Sequence, residues 1–99
     1  MPDTMPANTL KTSNGNIRYH SLKLVSPYWE AVEADEKKVE IRAFDRDYRV
    51  GDYLQLEHYN RLTKTGEGKL WRRITHILID APYVPNGYAA MSIEPVVIE

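Results

Sequence analysis

The stretch Asp35 to Asp52, DEKKVEIRAFDRDYRVGD, places 11 charged residues in 18 positions, yet spaces Val39, Ile41 and Phe44 at strand-like intervals. It closes on Val50-Gly51-Asp52, a turn signature. Charges threaded into a strand are costly unless they meet water, one another or a ligand. Strand side chains alternate, so Lys38, Glu40 and Arg42 share one face, and Val39 and Ile41 the other. The pattern predicts a small domain that presents a carboxylate beside a guanidinium on a polar face.

A chain of 99 residues has room for one core. Residues 1–16 contain two prolines, few large apolar side chains and a Ser-Asn-Gly-Asn end. They read as a flexible tail ahead of a single domain at 17–99. Ile17 to Val25 alternates as a strand, with His20, Leu22 and Leu24 on one face. Ser26-Pro27 reads as an N-cap and first helical residue, opening a short helix to Ala34 with Tyr28, Trp29 and Val32 inward. Lys37 to Phe44, Tyr53 to Tyr59, Trp71 to Ile79 and Tyr88 to Ile98 read as further strands. Asn60 to Lys69 and Asp80 to Gly87 read as loops. Pro95 marks a strand end or an edge. Several short strands with one helix after the first suggest an α+β fold. Its expected form is a small mixed β-barrel with the helix covering one end, since closure would manage the strand edges.

The absence of cysteine excludes a disulfide framework and thiolate metal sites, and fits a reducing compartment. No run approaches the roughly 18 apolar residues of a membrane span. The first residues lack a charged-then-apolar leader. The expectation is a cytoplasmic protein with no membrane partner, a monomer being favoured. His20, His58 and His76 have no metal-ligand spacing. Asp45, Asp47 and Asp52 lack the spacing of a calcium loop, so no metal is expected. No glycine-rich nucleotide fingerprint or nucleophile elbow occurs, and no cofactor is implied. Net charge is −1, which excludes binding nucleic acid by bulk basicity. The charge is uneven, however. Arg61, Lys64, Lys69, Arg72 and Arg73 stand against Glu67 alone between residues 61 and 76. Such a patch can steer a phosphate chain, or be a solvated hairpin face.

The run Asp35-Glu36-Lys37-Lys38-Val39-Glu40-Ile41-Arg42 resembles the G-x-K-x-x-E-x-R signature of ASCH domains, relatives of the PUA fold, with Asp35 in the glycine's place. Aspartate tolerates a left-handed backbone better than most residues. The chain is most similar to the phage- and plasmid-associated ASCH-like proteins, a domain of unknown function. The similarity rests on His20-x-Leu22-Lys23, Tyr28-Trp29, Lys37-x-x-Glu40-Ile41-Arg42, Asp45-Arg46-Asp47-Tyr48-x-Val50-Gly51-Asp52, Thr65-Gly66 and Gly87-Tyr88. These motifs span roughly Tyr19 to Ile93.

The resemblance implies a PUA-like barrel of five or six strands, with Lys37, Glu40 and Arg42 lining a cleft between barrel and helix. It implies RNA or a nucleotide as partner there. For some small relatives it implies amidohydrolase action on acylated cytidine, and for others ribonuclease activity. The amidohydrolases place a threonine nucleophile where this chain has Glu40, which cannot take that role. As binding residues, Arg42 offers a forked donor to phosphate or a base edge, and Lys37 and Lys23 offer point charges. Arg46, Arg72 and Arg73 are supporting cations. Tyr83, in a proline-bounded loop, is a candidate base-stacking aromatic. If there is catalysis, Glu40 and Lys37 would be acid–base partners. The competing readings are an ion pair holding two strands for Glu40 and Arg42, and an interaction module of a mobile element for the whole chain.

Overall fold

The computed structural model describes residues 6–13 and 15–98. Six strands and one helix follow in order: β1 (Asn8–Thr12), β2 (Gly15–Leu24), α1 (Tyr28–Glu33), β3 (Val39–Ala43), β4 (Tyr53–Asn60), β5 (Thr65–Leu78) and β6 (Tyr88–Pro95). They form one mixed sheet in the order β1-β2-β4-β5-β6-β3. The β2–β4 pair is parallel; every other neighbouring pair is antiparallel.

The expected α+β barrel is corrected. The fold is mostly sheet, and the sheet is open. β1 covers β2 only up to Tyr19, and β3 pairs with β6 alone. No ladder joins β3 to the free part of β2. Two guanidinium groups cross that gap instead. Arg46 Nη1 donates to the Ser21 carbonyl at 2.6 Å, and Arg42 Nη2 donates to the Lys23 carbonyl at 2.7 Å. Carbonyls two residues apart point the same way from a strand edge, so side-chain donors can satisfy them without a neighbouring strand.

The flexible-tail expectation for residues 1–16 is also corrected over Asn8–Thr12, which pair with β2 as an antiparallel hairpin. Residues 1–5 and 14 lie outside the described residues. The loop expected over Asn60 to Lys69 shortens to a turn, because β5 begins at Thr65. Asn60 Oδ1 forms that turn by accepting from the Leu62 and Thr63 amides at 2.9 and 3.2 Å.

The core lies between α1 and the inner face of the sheet. Leu22 and Leu24 from β2, Leu54 and Leu56 from β4, Ile74 from β5, and Ala89, Met91 and Ile93 from β6 meet Trp29 and Val32 of the helix. Full burial of each large aliphatic is worth roughly 2 kcal/mol. Ser26 does not cap α1: Pro27 is the N-cap residue, and the Ser26 hydroxyl donates to Glu30 Oε1 at 2.5 Å. That bond holds the Glu30 carboxyl below its ordinary range. At the other end Asp35 takes φ 58°, the left-handed turn expected where related signatures carry glycine. The chain reverses there, and the Glu36 and Lys37 amides return to the Ala31 carbonyl. This reversal delivers Lys37 to the start of β3.

Tyr48, 3% exposed, stacks edge-on to Phe44 and lies 4.7 Å from the His20 ring. Burial pushes its phenol above the ordinary value. The folded state then keeps a proton that the unfolded chain releases near pH 10. Stability is therefore full below that value and falls as pH rises beyond it. Tyr48→Phe is expected to flatten the fall, as read by urea midpoints across the alkaline range. An unchanged slope would remove Tyr48 from the alkaline transition.

Candidate functional site

The alternation on β3 groups Glu40 with Arg42 as expected but turns these two inward, while Lys38, ahead of the strand, stays 67% exposed. Val39 and Ile41 are 39% and 57% exposed, whereas Glu40 is 2% exposed. A buried carboxylate needs partners, and Glu40 has two. Lys37 Nζ reaches Oε1 at 2.5 Å, and Arg42 Nε reaches Oε2 at 2.9 Å. Lys37 Nζ also donates to the Val39 carbonyl. Both cations keep about a quarter of their side chains exposed, so each has one side on the carboxylate and another towards solvent.

That solvent side is a cleft of about 530 Å³ between β2, the start of α1, β3 and the β4–β5 turn. Lys23, Lys37, Arg42 and Arg61 line it as cations, with Glu40 as its one carboxylate. Lys23 Nζ sits 4.6 Å from the centre of the Tyr59 ring, a cation–π contact that leaves its protons available. Tyr28, Val39 and Ile41 supply exposed apolar surface at the rim. The volume is that of a small-ligand site. Chemically the cleft can neutralise an anion and cover a flat ring. Both Glu40 oxygens are engaged, one by Lys37 and one by Arg42.

Four of the residues singled out from sequence, Lys23, Lys37, Glu40 and Arg42, thus meet at one place. Four others do not line it. Arg46 spans the gap to β2. Arg72 is 7% exposed and donates to the Val32 and Trp71 carbonyls at 2.8 Å, which closes the C-terminal end of α1. Arg73 pairs with Glu94 at 3.1 Å. Tyr83 is 84% exposed on the loop before β6. Leu70, Arg72 and Ile74 share a strand face, a pattern that could have marked Arg72 as inward-facing.

Tyr28 is a cleft residue that the sequence reading did not place in the site, and Arg61 is the one member of the basic Arg61 to Arg73 patch that lines it. The three-residue spacing of Trp29 and Val32 alone makes the buried face of α1, and Tyr28 falls outside it.

A second buried carboxylate, Asp52, holds the fold on the far side of Tyr48. It accepts from Arg18 Nη2 at 3.3 Å, His20 Nε2 at 2.9 Å and the Arg49 amide at 3.0 Å. His20, 1% exposed, is a buried hydrogen-bonder whose Nδ1 has no partner. Arg49 in turn meets Asp47 at 2.6 Å, which holds the Asp47 carboxyl below its ordinary range. Among the described residues no group of three His, Asp or Glu side chains is placed to hold a metal ion. No described helix is long and apolar enough to cross a membrane.

The model of one protein family, a domain of unknown function (DUF3850), matches residues 19–93. The chain belongs to that family. No curated protein matches it. The DUF3850 span opens inside β2, closes inside β6 and leaves out β1. Every residue that lines the cleft falls within it, as does the Asp52 cluster apart from Arg18. β1, at the sheet edge, lies outside the matched residues, and the matched part holds both buried carboxylates and the gap between β2 and β3.

Proposed function

We propose that the cleft binds a phosphate-bearing nucleotide, free or as part of an RNA strand. The observation that carries this reading is the charge arrangement. Four cations face one carboxylate, and that carboxylate is buried and already paired. Lys37 and Arg42 are held in place before a ligand arrives, so less ordering cost falls on binding. Arg42 commits Nε and Nη2 to protein acceptors and keeps Nη1 for a phosphate oxygen or base edge. Tyr28 offers a ring against which a base can stack. The resemblance of Lys37-x-x-Glu40-x-Arg42 to the ASCH signature supports the same ligand class. An acid–base role for Glu40 has less support, because both of its oxygens are already engaged by Lys37 and Arg42.

Arg42→Ala is expected to weaken binding of a 5′-mononucleotide by about tenfold, the loss of one charge-assisted hydrogen bond. Affinity of the parent should also fall with added salt. Titration calorimetry at matched salt reads both. Because Arg42 also bridges to β2, Arg42→Lys serves as the control that keeps the charge but not the fork. Unchanged affinity in a folded Arg42→Ala protein would remove the cleft assignment.

A further inference from the structure

The cationic cleft does not end at its own rim. A second cavity of about 400 Å³ adjoins it, and Val25 and Arg61 line both. Arg61 lies on the exposed turn between β4 and β5. Its side chain makes no ion pair or hydrogen bond with any described residue. All five of its N–H donors are uncommitted at the junction of two cavities.

The walls of the second cavity differ in chemistry from the first. The His58 ring lies flat on Trp29, 4.8 Å between centres and 8° between planes, so a wide aromatic surface backs it. Ser26 Oγ meets His58 Nε2 at 3.1 Å and donates to Glu30. Leu62 stands 95% exposed at the lip. Glu67 commits Oε1 to Asn60 Nδ2 at 2.7 Å, which leaves its other oxygen as an acceptor. A carboxylate repels phosphate and accepts from the amino group of a base. The first cavity suits phosphate, the second suits a base, and Arg61 stands between them.

Resting on the nucleotide reading of the first cleft, we propose that the two cavities form one groove for two consecutive nucleotides of a single strand. One phosphate lies among Lys23, Lys37 and Arg42. The linking phosphodiester lies on Arg61. The second base enters beside Leu62 with Glu67 as its acceptor. Arg61 thus sets the length of ligand recognised.

The test compares a 5′-mononucleotide with the 5′-phosphorylated ribodinucleotide by calorimetry at one salt concentration, on the parent and on Arg61→Gln. The parent is expected to bind the dinucleotide at least roughly tenfold tighter, from one added base and one added phosphate contact. Arg61 also lines the first cleft, so Arg61→Gln should weaken the mononucleotide too; it should lose most of the gain, read as the ratio of dinucleotide to mononucleotide affinity within each protein. The exposed, unpaired Arg61 gives the substitution no fold contact to break. A parent that binds both ligands equally, or an Arg61→Gln protein that keeps the full gain, overturns the two-nucleotide groove alone. A parent that binds neither overturns it together with the cleft reading.

Discussion

Asp52→Ala is expected to cost about 4 kcal/mol of folding stability, within the range for removing one member of a buried ion pair. The carboxylate is 4% exposed and accepts from three residues of two elements: Arg18 and His20 on β2, and the Arg49 amide in the turn before β4. Truncation would leave His20, 1% exposed, with neither ring nitrogen bonded, because Nδ1 has no partner to begin with. A buried polar group stripped of its partner costs its full desolvation penalty. Arg18 is less affected, since it is 32% exposed and keeps Asp47. Asp52→Asn, which retains an acceptor, should lose about half as much. Urea unfolding with an unchanged m-value reads the difference. A loss below about 1 kcal/mol would mean that the cluster contributes little net stability.

Glu40→Ala is expected to cost about 3 kcal/mol, for a related reason with a different consequence. Glu40 is fully enclosed, but its partners Lys37 and Arg42 are each about a quarter exposed and can turn to water when it is gone. That escape limits the penalty. It also changes the cleft, because the two cations lose the group that orients them. A melting temperature lower by roughly 12–24 °C follows from the size of the chain. Mononucleotide affinity of the folded protein should fall with it, since positioning is lost along with the pair. Glu40→Ala that melts with the parent would mean that Lys37 and Arg42 find equivalent partners elsewhere. Asp52→Ala, by contrast, should leave the affinity of the folded fraction unchanged, since Asp52 lines no part of the cleft.

The two carboxylates mark what could be read in the chain and what could not. Alternation along Lys38 to Arg42 identifies Glu40 and Arg42 as neighbours on one face, whatever the fold. It does not say which face is inward, because a period of two is symmetric. Val39 and Ile41 looked like the core set, and they face outward. Apolar residues at a strand edge carry only a modest cost of exposure, whereas Glu40 gains two ion pairs by facing inward. Arg72 was misplaced for the converse reason. Its charge suggested the surface, but the Val32 carbonyl of α1 and the Trp71 carbonyl of β5 accept its protons. β1 escaped notice because Asn8–Thr12 offers one large apolar side chain, Leu10. Its hydrogen bonds come from a partner strand and not from its own pattern.

The sequence by itself determined the local matters: the places of β2, α1, β3, β4 and β6 and the later part of β5, the turn at Asp35, and the adjacency of Glu40 and Arg42. Each depends on residues a few positions apart, where alternation, helical spacing and turn chemistry act directly. The tertiary structure alone decided the open sheet, the meeting of Lys23, Tyr28 and Arg61 with the Glu40 cluster, and the exclusion of Arg72. These depend on which strand edges pair. Pairing is set by the sum of core burial and hydrogen bonds across the sheet, and side-chain donors from Arg42 and Arg46 can satisfy an edge that a strand would otherwise fill.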